Sequence, residues 1–167
     1  MSLFEPIFEA LNAHDVRYVV VGGVATVLHG FARLTADVDL IVDLEPAEAL
    51  KAMTALSSIG LRPRAPVTAE SFADHATRRA WIEDKGMRVF SLWDPAQPLR
   101  EVEVFVESPI SFEELWARSE LVALSSLSVR IASIPDLIHL KSLAGRDEDR
   151  QDIEALRKIL ARRKQSP

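Results

Sequence analysis

The sequence predicts an α/β (α+β) fold, a mixed β-sheet flanked by helices and closed by helices at the C-terminal end. Three observations predict it. A β-branched run at Arg17-Tyr18-Val19-Val20-Val21 stops at Gly22-Gly23 and gives way to a helical pattern. The order strand, helix, strand, helix then fills the first part of the chain, and two neighbouring strand patterns near Met87 to Val106 are joined by a turn-rich stretch. At 167 residues the chain is close to one domain's worth, so a single domain over 1–167 is expected.

Taken in order, Leu3, Ile7, Phe8 and Leu11 recur at helical spacing, and Asn12-Ala13-His14-Asp15 reads as the helix exit. Tyr18 to Val21 is a buried strand ending in the tight turn at Gly22-Gly23, and Val24 to His29 suits a helix that Gly30 ends. Asp37-Val38-Asp39-Leu40-Ile41-Val42 is the second strand. Pro46 opens a helix through Ala47, Leu50, Met53 and Leu56 that closes near Gly60. From Pro63 to Asp84 the chain is rich in Pro, Arg and Ala and carries one helical stretch, Ser71 to Trp81. Met87 to Trp93 and Val102 to Val106 are strands, and Asp94-Pro95-Ala96-Gln97-Pro98 makes them a hairpin. Ser111 with Glu114 three residues on predicts a capping box and a helix through Leu115 and Trp116. Short strand material follows at Ser128 to Ala132, then two helices, Pro135 to Ala144 and Asp149 to about Arg163.

Composition narrows the function. Hydrophobic residues at 48% and charged residues at 27% describe a chain that folds. A net charge of −5, from 20 Lys+Arg and 25 Asp+Glu, argues against coating nucleic acid by charge alone. Zero Cys removes disulfides, thiolate metal sites and cysteine nucleophiles, leaving His and carboxylates as ligands. The longest apolar stretches, Tyr18 to Leu28 and Val38 to Val42, are too short to span a membrane, and Met1 to Pro6 lacks the pattern of a secretory signal. The expectation is a cytoplasmic protein with no membrane partner.

The chemistry lies in carboxylates placed on strands. Side chains alternate along a strand, so Asp37 and Asp39 share one face while Val38, Leu40 and Val42 share the other. Two such carboxylates, ~7 Å apart at Cα, repel one another and call for a cation or a raised pKa. Glu101, Glu103 and Phe105 repeat the pattern, and Glu103 completes a triad if the two strands are neighbours. Three converging carboxylates suit Mg²⁺ and two-metal phosphoryl or nucleotidyl transfer; a pair of half-exposed strands with solvated acidic faces explains the same residues. Gly22-Gly23, between a strand and a helix, offers backbone N–H groups to phosphate, or is a simple turn. It matches neither a Walker A loop nor the dinucleotide fingerprint.

Together, Val21-Gly22-Gly23-Val24-Ala25, His29-Gly30, Arg33, Thr35, Asp37 and Asp39 resemble the signature of the DNA-polymerase-β-like nucleotidyltransferase superfamily. The run is most similar to the small bacterial branch of AbiEii-type toxins of toxin–antitoxin systems and minimal nucleotidyltransferases. Arg100 to Phe105 resembles the strand of the third carboxylate, and Pro135 to Ile138 through Lys141, Gly145-Arg146, Asp149 and Asp152-Ile153 resembles the C-terminal helical segment. The resemblance implies a nucleotidyltransferase-like fold that transfers an NMP group from an NTP to an acceptor hydroxyl. It implies that Gly22 and Gly23 hold the phosphates, that Asp37, Asp39 and Glu103 bind Mg²⁺, and that Arg33, Thr35 and Lys141 contact the nucleotide. The acceptor (tRNA, protein or small molecule) and the choice among ATP, GTP, CTP and UTP are left open, as is a cognate toxin–antitoxin partner protein. Two departures stand out: Gly-Gly replaces the superfamily's usual Gly-Ser, as this branch allows, and the third acid is Glu rather than Asp. The second motivates another reading, a catalytically degenerate binding or regulatory module.

Other residues carry less. His29 reads as a capping or packing histidine ahead of a catalytic one, and His14, His75 and His139 show no metal-ligand spacing with it. Ser125-Ser126 lacks the context of a nucleophile elbow. Arg146 to Asp152 is a dense mixed-charge run that reads as a solvated helix start, with Lys141, Arg146 and Asp149 bordering the nucleotide cleft if the family match applies. Arg157, Lys158, Arg162, Arg163 and Lys164 suit a helix dipole better than an RNA contact.

Overall fold

The computed structural model describes residues 3–125 and 127–165. Helix α1 (Glu5–Ala13) leads to strand β1 (Tyr18–Val21), which passes directly into α2 (Gly22–Leu28). Strand β2 (Val38–Val42) and α3 (Pro46–Ser58) follow. A two-residue strand β3 (Arg62–Pro63), a 3-10 turn (Ala69–Ala73) and α4 (His75–Lys85) precede the hairpin of β4 (Val89–Asp94) and β5 (Gln97–Phe105). The chain continues through α5 (Phe112–Arg118), the hairpin of β6 (Glu120–Leu124) and β7 (Leu127–Ile131), α6 (Ile134–Ala144) and α7 (Asp147–Gln165).

The strands form one mixed sheet in the order β3-β4-β5-β2-β1-β7-β6. The β2–β5 and β1–β7 pairs are parallel and the rest antiparallel. β1 lies between β2 and β7, and all four of its residues are buried, which is why its sequence is uninterrupted Val and Tyr. At the β3 side, β4 alternates buried with half-buried residues, the mark of a strand covered on one face. Its covered face is Phe90 and Leu92; Phe90 stacks on Trp81 of α4 at 5.2 Å and tilts against Phe72 of the 3-10 turn at 5.4 Å. The opposite face carries Ser91 and Trp93 beside Glu103 and Glu101 of β5, their register partners.

Several elements differ from the sequence expectation. Ser111 is the N-cap of α5, but its side chain makes no capping hydrogen bond, and Glu114 instead pairs with Arg118 at 3.5 Å, one turn on. β5 begins at Gln97 rather than Val102, because the antiparallel ladder with β4 continues through the turn-rich residues to an Asp94–Gln97 pair. β6 and β3 had no strand signal of their own; each exists by pairing, β6 with β7 and β3 with β4. The Ser71 to Trp81 stretch splits at Asp74, whose carboxylate caps α4 by accepting from the Thr77 N–H at 2.7 Å. His29 is a packing residue: it is buried and its Nε2 lies 2.8 Å from the Ala132 carbonyl, with burial pushing its pKa down. Of the pair Ser125-Ser126, Ser126 lies outside the described residues. Among the described residues, no helix is long and apolar enough to cross a membrane.

Candidate active site

The parallel pairing of β2 with β5 sets Val38 against Val102 and Leu40 against Val104, all four buried on the core side. The residues between them turn to the other face, so Asp39 stands directly beside Glu103. Asp37 falls one residue before β2 rather than within it, yet its side chain joins the same cluster. Asp37, Asp39 and Glu103 each present a carboxylate oxygen within 4.8 Å of the others, and all three are half-buried. Glu101, on the same face, is occupied elsewhere: Arg64 grips it with two hydrogen bonds of 2.5 and 2.9 Å while lying over the Trp93 ring.

Crowding three acids raises the cost of charging them. Burial first, then the charges of Asp37 and Glu103, push the Asp39 carboxyl up to about 7; nearby Arg146 and the Gly23 N–H act in the opposite sense. Glu103 is likewise raised, by burial and then by Asp37 and Glu101. The cluster is short of positive charge.

Gly22 and Gly23 pack against these acids. Gly22 has φ +62°, and a Cβ there would sit 1.8 Å from Asp39 Oδ2. A Cβ on Gly23 would sit 2.5 Å from Thr35 Oγ1. The glycine pair is therefore required by backbone conformation and by close approach, beyond its role as a strand-to-helix turn. The fold also brings Arg33, Thr35, Asp37, Asp39 and, from α6, Lys141 to the wall of one cleft of about 360 Å³ that the two glycines share. Arg146 and Asp149, at the α6–α7 junction, line it too.

Lys141 is buried, and its ammonium lies 2.6 Å from Asp152 and 3.4 Å from Asp149. Arg33 forms an ion pair with the same Asp152 oxygen. This corrects the reading of Arg146 to Asp152 as a merely solvated helix start: Asp149 and Asp152 are 4% and 2% exposed and neutralise the cations of the cleft wall. Asp149 also accepts from the Arg146 N–H at 3.1 Å, ordering the start of α7. Asp152 is the residue that sequence reasoning left without a role; its signal is the i, i+3 spacing from Asp149, which puts both acids on one face of α7. At the other end of α7, Arg163 pairs with Glu120 at 3.0 Å and reaches His29 Nδ1 at 3.1 Å.

Two solved structures share this architecture. The lincosamide antibiotic adenylyltransferase LnuA, in a lincomycin-bound crystal structure, superposes with a TM-score of 0.63 at 15% identity, over 95% of this chain and 96% of that one. An antigenic nucleotidyltransferase-like protein from Paracoccidioides brasiliensis gives a TM-score of 0.61 at 18% identity, over 93% of this chain and 73% of that one. At these identities the likeness is one of fold. No curated protein matches the sequence. The profile of the family described as nucleotidyltransferase of unknown function (DUF6036) matches residues 1–161, nearly the whole chain, and the protein belongs to that family.

Proposed function

We propose that the protein transfers an NMP group from an NTP to an acceptor hydroxyl, with Mg²⁺ held by Asp37, Asp39 and Glu103, and that residues 1–167 work as one catalytic domain. The observation that carries the reading is the meeting of three carboxylates within 4.8 Å beside a glycine pair that leaves no room for a side chain. These residues fit the metal: the donors are all hard oxygens, as Mg²⁺ prefers, and the raised Asp39 and Glu103 acids gain from a divalent charge between them. Mg²⁺ bound there supplies charge neutralisation on the phosphates and eases ionisation of the attacking hydroxyl.

The chain's own groups do the rest. The Gly22 and Gly23 backbone approaches the phosphates closely, and Thr35 adds a hydroxyl. Arg33 and Lys141, held at the cleft wall by Asp152, offer N–H donors to the triphosphate. Glu103 accepts the proton of the acceptor hydroxyl. The acceptor oxygen then bonds to the α-phosphorus, the α–β phosphoanhydride bond breaks, and pyrophosphate leaves with its electron pair.

The resemblance of Val21 to Asp39 to AbiEii-type toxins supports a reading in which this activity is cytoplasmic and belongs to one member of a toxin–antitoxin pair with a cognate protein partner. The test offers each of the four labelled NTPs with Mg²⁺ to tRNA, to proteins encoded nearby and to hydroxylated small molecules, a lincosamide among them. Label should move to one acceptor class in the wild type and fall at least about a thousandfold in Asp37→Ala plus Asp39→Ala. Undiminished transfer in that double variant would defeat the proposal. The Glu at position 103 supports the second reading, a binding module; co-purification of a partner with no metal-dependent NTP binding by calorimetry would select it.

A further inference from the structure

The loop between α2 and β2 brings Arg33, Thr35 and Asp37 to the cleft, where Thr35 packs on Gly23 of α2, yet few other contacts hold it in place. Ala32, Leu34 and Ala36 are exposed, Leu34 at 96%, so the loop has no apolar anchor over this stretch. Among the described residues, its last backbone hydrogen bond to the body of the protein is from the Phe31 N–H to the Thr26 carbonyl. Beyond it, Arg33 Nε bonds to the carbonyl of Leu34 and Thr35 Oγ1 to that of Asp37, both within the segment. Among the described residues, the side-chain tie from this stretch to the body of the protein is the ion pair of Arg33 with Asp152 of α7. Asp152 is 2% exposed and gives the same oxygen to Lys141, so it joins the loop, 119 positions away, to α7 and to the preceding helix α6.

We infer that Asp152 is a positioning residue: it anchors the 32–37 loop to α7 and thereby sets Arg33, Thr35 and Asp37 at the cleft, together with Lys141. A buried ion pair adds little net stability compared with apolar packing, and its use is to select one geometry. Here the selected geometry is that of a loop that would otherwise open to solvent, where local stability follows the few contacts made. The consequence for nucleotide affinity rests on the function proposed above; the anchoring itself does not.

The test is hydrogen exchange of the 32–37 amides in the nucleotide-free protein, for the wild type, Asp152→Asn, Arg33→Gln and the double variant. Each single variant should exchange about tenfold faster or more in this loop, with β1 and β2 unchanged, and the double variant should be no faster than the singles. Asp152→Glu, which keeps the charge, should recover part of the protection. With Mg²⁺ and NTP, Asp152→Asn should raise KM about tenfold with a smaller change in kcat, a split that general loss of folded protein does not produce. A folded Asp152→Asn protein with wild-type exchange in 32–37, or strictly additive single effects, would overturn the inference. Should Asp152→Asn fail to fold, Arg33→Gln decides alone, because Lys141 still pairs with Asp152 in that variant. A wild type that binds no NTP removes the functional reading and leaves the exchange result to judge the anchor.

Discussion

Gly22 combines a left-handed backbone with a carboxylate where its side chain would be, so two independent penalties meet at one position. Gly22→Ala is expected to lower stability by at least about 1–2 kcal/mol and to push Asp39 out of the acid cluster. Thermal unfolding measures the first effect and Mg²⁺ titration the second. Asp39 itself supplies a pH dependence whose sign follows from its raised pKa. In the unfolded chain an aspartate titrates near ~4, whereas the folded Asp39 titrates at about 7, so between these values the folded state holds more protons. Its contribution is full below pH ~4 and is lost as pH rises through about 7. The metal-free protein should therefore lose stability, on the order of 1–3 kcal/mol, from pH 5 to 8. Asp39→Asn should flatten that slope, and Mg²⁺ should restore Tm most at the alkaline end; a Tm of the metal-free wild type that rises over this range would contradict the assignment. Both glycines and all three acids were legible in the sequence, since alternation along a strand is enough to sort Asp39 from Leu40. That Gly22 is required by contact with Asp39 was not legible, because the β1–β2 pairing that makes them neighbours spans a loop of no regular pattern.

Among the elements, α6 shows how a start signal becomes structure. Ser133 accepts from the Asp136 N–H at 3.3 Å and donates its hydroxyl to the Asp136 carboxylate at 2.8 Å, while Pro135 occupies the first turn. Arg118, at the end of α5, holds the same carboxylate at 2.9 Å, so the cap also ties two helices together. Ser133→Ala should cost about 1 kcal/mol in chemical denaturation, whereas Ser111→Ala, whose hydroxyl makes no cap bond, should cost clearly less. In the sequence the capping box is expected at Ser111, with its Ser-x-x-Glu pattern. It failed as a hydrogen-bonded box because Glu114 lies on the exposed side of α5 and turns to Arg118. β6 was missed for a related reason: Glu120–Leu124 leaves α5 after a single residue, without the turn residues that announce a strand, and is stabilised only once β7 returns beside it.

At the scale of the molecule, the covered face of β4 is held by one aromatic cluster, with Phe90 between Trp81 and Phe72. Phe90→Ala should cost about 3–5 kcal/mol in denaturant unfolding, loosening α4 and the 3-10 turn from the sheet that carries Glu103. The fold class, the positions of six of the seven helices and the acidic strand faces followed from the chain alone, because each depends on residues only a few positions apart: two-residue alternation in strands, three-to-four-residue spacing in helices, and Pro or Gly at their ends. The state of a charge depends instead on what the folded chain sets beside it. Asp152 and Arg33 are 119 positions apart, and nothing near either one distinguishes a buried ion pair from two solvated side chains. Packing α7 against α6 and the α2–β2 loop removed water from Asp149, Asp152 and Lys141, and it is the loss of water, a property of the assembled molecule, that turned a charged helix start into the inner wall of the cleft.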